Sequence, residues 1–198
     1  MMKKPFKAIG ISLLAIASVW IVVTFWAEST GAKKSWELGS KASTKKVLIV
    51  FDPDPFYNLD EQVSRSFGKA LADNGLNVRV ATVKAAKELA NQPFDLYVFC
   101  ANTYNWHPDW AVTDFIKQQV VLEGKSVVAI TLGSGSTETS QKALEDLIIN
   151  MKGNLIDSHS LWLFKPNDES RMKESNIKVS VSMAYAQGEK IAKQFESH

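Results

Sequence analysis

Residues 8–27 (AIGISLLAIASVWIVVTFWA) run for twenty positions without a formally charged side chain, and no other segment limits the fold so strongly. At a rise of about 1.5 Å per residue, a helix of this length spans roughly the 30 Å hydrocarbon core of a bilayer. Trp20, Phe25 and Trp26 crowd its C-terminal half, where aromatic rings suit a membrane interface, and Lys3, Lys4 and Lys7 precede it. A cleaved secretory signal shares the basic start, but its apolar stretch is normally about 7 to 15 residues long and ends in small residues. Phe25-Trp26-Ala27 is a poor cleavage sequence and Thr30-Gly31-Ala32 only a passable one. Residues 1–27 are therefore read as an N-terminal tail and uncleaved transmembrane anchor, whose partner is the lipid bilayer through residues 8–27. Glu28 to Ala32 carries no base, so the charges directly against the run favour a cytoplasmic N-terminus and an extracytoplasmic domain.

The chain of 198 residues leaves about 150 after the anchor, the usual size of one domain with one core. Its net charge of +2 conceals a split: eight bases and two acids precede Val47, which leaves the domain at −4. Nucleic-acid binding does not suit such a surface. Residues 28–45, rich in Ser, Thr, Gly, Ala and Lys, read as a juxtamembrane linker. The lysines at 33, 34, 41, 45 and 46 fit either a solvated linker or contact with anionic lipid headgroups.

From residue 46 onward, apolar runs alternate with helical spacing. Val47 to Phe51, Asn77 to Val83, Phe94 to Ala101, Ser126 to Leu132 and Leu155 to Phe164 read as strands, the continuous runs being buried on both faces. Helices fit the segment containing Val63, Phe67, Ala70 and Leu71, and Ala85 to Ala90, Ala111 to Leu122, Thr139 to Met151 and Ser182 to Phe195. The expected architecture of residues 46–198 is a doubly wound, five-stranded parallel sheet with helices on both faces. Ligands of such sheets bind at the C-terminal strand ends, which here carry the loops Asp52 to Asp60, Asn102 to Trp110 and Gly133 to Thr137.

The second loop reads Asn102-Thr103-Tyr104-Asn105-Trp106-His107-Pro108-Asp109-Trp110. Its aromatic rings offer stacking surface and its amides can read the polar edge of a planar ring, or the Trp residues simply roof the sheet. The third, Gly133-Ser134-Gly135-Ser136-Thr137, can bend closely round a ligand, and Ser136 or Thr137 can equally cap the next helix. Over residues 45–195 the chain resembles the flavodoxin family and related membrane-tethered flavodoxin-like proteins. Thr103-Tyr104 resembles that family's Pro-Thr-Tyr turn, with Asn102 in the place of the proline, and Gly133-Ser134-Gly135 resembles its second flavin-flanking loop. The resemblance implies FMN between these loops and electron transfer through its ring. Tyr104 or Trp106 would cover the flavin, and backbone groups of Asn102, Gly133, Ser134 and Gly135 would touch its polar edge; Asn105 and Ser136 belong to the same two loops.

The first loop departs from the family. A flavodoxin holds the FMN phosphate with hydroxyls, free N–H groups and a helix N-terminus, whereas Asp52-Pro53-Asp54-Pro55-Phe56-Tyr57-Asn58-Leu59-Asp60-Glu61 contains no Ser, Thr or Gly. Its prolines lack N–H donors, and each acid close to a phosphate would oppose it by a few kcal/mol at an effective dielectric of about 20. Asn58 or Asp60 can cap the following helix instead. A differently shaped loop using Tyr57 and Asn58, or capture by Arg65 or Lys69, would be needed to hold the phosphate.

Other chemistry finds little support. There is no G-x-S-x-G or G-x-x-x-x-G-K-[ST] sequence. Cys100 reads as a buried inert thiol, His107 with Asp109 as a surface pair rather than a metal site, and His159 as a satisfied structural histidine. Two functions follow: a membrane-anchored FMN protein that transfers electrons to a redox partner or reduces a small acceptor, or a cofactor-free binding or scaffold domain at the membrane surface.

Overall fold

The computed structural model describes residues 4–196, and the run Val47–Phe51 lies at its centre with all five side chains shut off from solvent. In chain order the elements are helix α1 (Lys4–Ala27), strands β1 (Ser35–Leu38) and β2 (Lys46–Phe51), helix α2 (Leu59–Asp73), strand β3 (Asn77–Thr82) and the short helix α3 (Val83–Ala86). Strands β4 (Leu96–Tyr104) and β5 (His107–Pro108), helix α4 (Trp110–Gln119), strand β6 (Ser126–Gly133), helix α5 (Glu138–Asn150), strand β7 (Asn154–Trp162) and helix α6 (Asn176–Glu196) complete the chain.

Alternation along β2 explains its complete burial. Val47, Ile49 and Phe51 pack with Val63, Phe67 and Leu71 of α2 and with Ala184 and Ile191 of α6. Leu48 and Val50 point the other way, into a second core with Val112, Phe115 and Ile116 of α4 and Leu144 and Ile148 of α5. Two apolar faces demand two layers of helices, and the five parallel strands run in the order β3-β2-β4-β6-β7.

The sheet is larger than the expected five strands. β5 pairs antiparallel with β4, and β1 pairs antiparallel with β3, from Ser35 opposite Ala81 to Leu38 opposite Val78. The segment read as a linker therefore contributes an edge strand. Trp36 stacks on Phe51 at 6.2 Å and Arg65 lies over the Trp36 ring. Because β1 and β2 meet at the far end of the sheet from the three loops, Lys41, Lys45 and Lys46 lie at that far end. Lys33 and Lys34, nearer the loops, pair with Glu88 and Glu61.

Helix α1 includes a stretch, Ile9–Ala27, that is long and apolar enough to cross a membrane, with a mean hydropathy of 2.2. Helix α6 begins at Asn176, six residues before the expected start, because Asn176 and Ser180 join Asn167 in a polar cluster around the Trp162 carbonyl. Gly188 brings α6 against α2: a Cβ there would stand 2.7 Å from the Phe67 carbonyl oxygen and 2.8 Å from the Ala70 Cβ. Gly188→Ala is expected to push the helices apart and cost about 1–3 kcal/mol, measured as a fall in the denaturation midpoint with the slope unchanged.

Candidate ligand-binding site

The three loops at the C-terminal strand ends enclose a cleft of about 190 Å³. Tyr57 of the first loop, Asn102, Thr103 and Tyr104 of the second, and Gly133 and Ser134 of the third all line it. Asp54, Phe56, Leu163 and Phe164 complete much of the wall. Leu163 and Phe164 were not anticipated as site residues; the signal was the apolar run Leu161-Trp162-Leu163-Phe164, which continues past the end of β7. Tyr57 and Phe164 meet edge to face at 6.1 Å.

Five of the anticipated residues lie elsewhere. Asn105 and Trp106 form a two-residue hairpin turn with φ of 49° and 60°, the primed geometry that matches strand twist. That turn carries Trp106 outward, leaving it 67% exposed, and aims Asn105 at α1, where it donates to the Thr24 hydroxyl. Trp106 is thus outside the cleft, Asn105 borders a neighbouring hollow, and Asn58 borders a groove along α2. Gly135 packs against Lys165 and Ser136 donates to Glu138 at 3.1 Å. Neither the Asn58 nor the Thr137 side chain caps its helix; the Thr137 hydroxyl accepts from the Trp162 indole N–H instead.

The acids of the first loop bend inward. Asp54 accepts from the backbone N–H groups of Phe56 and Tyr57 at 2.6 and 2.8 Å and from the Tyr104 hydroxyl at 2.7 Å. Asp60 accepts from the N–H groups of Asp54 and Glu61 and from the Asn102 side chain. Asn102 also donates to the Asp52 carbonyl, so it ties the first loop to the second. Burial pushes the Asp60 carboxyl up to about 6 and that of Asp52 up to about 7 against opposing hydrogen bonds. Burial also raises the Tyr104 phenol well above its ordinary range, and its bond to Asp54 adds to the effect.

Asp109 is buried rather than a surface group. It caps α4 by accepting from Val112 N–H, and its other oxygen accepts from Asn102 N–H. His107 is exposed, with Nδ1 at 2.7 Å from the Pro108 carbonyl. No group of three metal-ligating side chains occurs among the described residues. Cys100 is fully buried, and burial holds its thiol protonated. His159 departs from the satisfied histidine expected: neither ring nitrogen finds a hydrogen-bond partner, and Asp157 stands 3.6 Å away.

The segment after α1 crosses this same end of the sheet. The Glu28 carboxylate accepts from Trp110 N–H at the start of α4, where the helix dipole favours an anion. Gly31 N–H donates to both Asp52 oxygens at 3.1 and 3.2 Å, and a Cβ on Gly31 would stand 2.8 Å from the Pro53 ring. Phe25 packs on Trp110 and Trp26 on Phe56, both edge to face.

No family profile and no curated protein matches the sequence. Solved structures do match by shape. A flavodoxin from the domain Archaea superimposes with a TM-score of 0.60 at 13% identity, over 76% of this chain and 99% of its own. The two-electron reduced flavodoxin of Megasphaera elsdenii gives 0.52 at 14% identity, over 71% and 98%. The chain has the flavodoxin fold. Rubredoxin oxygen:oxidoreductase from Desulfovibrio gigas contains the same fold, with a TM-score of 0.57 at 17% identity over 78% of this chain and 37% of that protein.

The residues present do not fit FMN in the manner the resemblance implies. Three N–H groups of the first loop, those of Asp54, Phe56 and Tyr57, are taken by the loop's own carboxylates, and two further positions are prolines. A phosphate there would meet anions where it needs donors. Arg65 and Lys69 do not supply the missing charge: they border the groove along α2 and pair with Glu61 and Asp73. Asn102 N–H, expected at the polar edge of the ring, is committed to Asp109. The cleft itself is smaller than the roughly 300 Å³ at which small-molecule sites begin.

Proposed function

We propose that this protein is a membrane-anchored binding domain that keeps the flavodoxin fold and the ring-side cleft but has closed the phosphate loop with its own carboxylates. The observation that carries this is the pair of Asp54 bonds to the Phe56 and Tyr57 N–H groups. The cleft then suits a small flat group without a phosphate, stacked against Tyr57 or Tyr104, and the uncleaved α1 holds the domain at a bilayer with its N-terminus in the cytoplasm. A second reading, an FMN-dependent electron carrier or oxidoreductase acting on a small acceptor, is favoured by the place of the cleft at the ends of β4 and β6, between the two loops that resemble flavin-flanking loops.

Titration separates the two. The full chain, purified in mild detergent, is expected to be colourless and to leave the fluorescence of added FMN unquenched. Stoichiometric FMN in the purified protein, seen as its visible absorption, would establish the second reading and remove the first.

A further inference from the structure

We propose that the loop end of the sheet is seated in the interfacial layer of the bilayer, with the Tyr104–His107 hairpin dipping beside α1 and the cleft opening at the membrane surface. This rests on reading α1 as a membrane span. The contacts of α1 with the domain are not confined to its last residue. Trp20, Val23, Thr24 and Ala27 share a hollow of about 220 Å³ with Phe56, Thr103, Tyr104 and Asn105. Trp20 lies seven residues before Ala27, which is about 10 Å along a helix axis. If the apolar stretch ends at the water boundary with Ala27, the hairpin reaches the depth of roughly 5–10 Å at which interfacial segments lie.

The surface chemistry agrees. Beyond α1, the exposed large aromatic side chains among the described residues are Phe56, Tyr57, Trp106, Trp110 and Phe164; four belong to the loops at this one end and Trp110 opens α4 there. Trp and Tyr collect at membrane interfaces because they pair an apolar body with a polar edge. The hairpin's polar tip is provided for, since Asn105 donates to Thr24. The occupant is a lipid surface rather than a second copy or a partner protein, because the helix that enters the lipid is packed directly on this face by Phe25–Trp110 and Trp26–Phe56. Lys33 pairs with Glu88 and Lys165 with Glu138, so the test starts from a zwitterionic lipid.

The test uses the full chain in phosphatidylcholine vesicles, with a nitroxide attached in turn to W106C, F164C and N91C; Cys100 is buried and does not compete. Asn91 is exposed and precedes β4, at the opposite end of the sheet. The W106C and F164C labels are expected to lose collisions with a water-soluble nickel chelate and to keep those with oxygen, while N91C retains both. Nickel access at 106 and 164 equal to that at 91 would overturn the proposal. Failure of the chain to float with vesicles would instead remove the membrane span on which it rests. Should W106C not fold, F164C alone decides.

Discussion

Raising the pH from about 5 to about 8 is expected to destabilise the folded domain by about 3 kcal/mol, lowering its melting temperature by roughly 10 °C. The cause is the group of carboxyls beneath the segment that follows α1. Burial raises Asp52 to about 7 and Asp60 to about 6, and burial likewise raises Asp109 and Glu28. In the unfolded chain an aspartate titrates near 3.9. Between these values the folded state binds more protons than the unfolded state, so stability falls as pH rises. The contribution is fully present below about pH 4 and disappears as pH passes through 6 and 7. Asp157, whose carboxyl is held low by its contact with His159, contributes stability with the opposite sign. That stability is lost only as pH falls below the ordinary aspartate range, outside this window. Asp52→Asn keeps an oxygen to accept from Gly31 N–H and cannot titrate, so it is expected to flatten the dependence. A melting temperature in detergent that is constant or rises from pH 5 to 8 would show that these acids are not buried as described.

The parts of the fold carried by single segments were legible. Val47–Phe51 and, within Phe94–Ala101, the run Leu96–Ala101 announce strands buried on both faces because every side chain in them is apolar, and a two-sided core leaves few alternatives. Strand β1 escaped notice because Trp36 and Leu38 supply only two inward positions in four residues, too few to establish a period of two. The start of α6 was hidden for a related reason: Ile177, Val179 and Val181 alternate as a strand would, and the polar cluster around Asn167, not the pattern, sets the helix start.

Contacts between distant segments were beyond reach. Nothing in the sequence announces that Glu28 accepts from the N–H of Trp110 at the start of α4, eighty-two residues away. The cleft shows the same division: the loops that line it follow from the strand ends, whereas the outward turn of Trp106 depends on positive φ at Asn105 and Trp106, of which only the asparagine is a residue that favours that region. The acids of the first loop were conspicuous, but their partners were not. A run of aspartates reads as a solvated surface or a set of helix caps, and only the geometry shows Asp54 and Asp60 accepting the N–H groups that an anion would otherwise receive.

That internal occupation predicts a gain of function. Asp54→Asn keeps an oxygen for the Phe56 and Tyr57 N–H groups, removes the charge and turns an amide NH2 toward the Tyr104 hydroxyl; Asp54→Gly removes the charge and frees both backbone donors. A unit charge at 5 to 6 Å from a phosphate opposes it by about 3 kcal/mol at an effective dielectric near 20, about 100-fold in affinity before screening. FMN affinity measured relative to riboflavin, which lacks the phosphate, isolates this end of the ligand from changes at the ring. The ratio is expected to rise in Asp54→Asn by up to that factor, and to rise further in Asp54→Gly, since two donors aimed at an anion become available. Salt should diminish the first gain more than the second, because screening acts on the charge and not on the donors. Equal ratios in the wild-type chain and both variants would mean that the loop is not what separates this protein from FMN, and that the small cleft between Tyr57, Tyr104 and Phe164 excludes the ring itself.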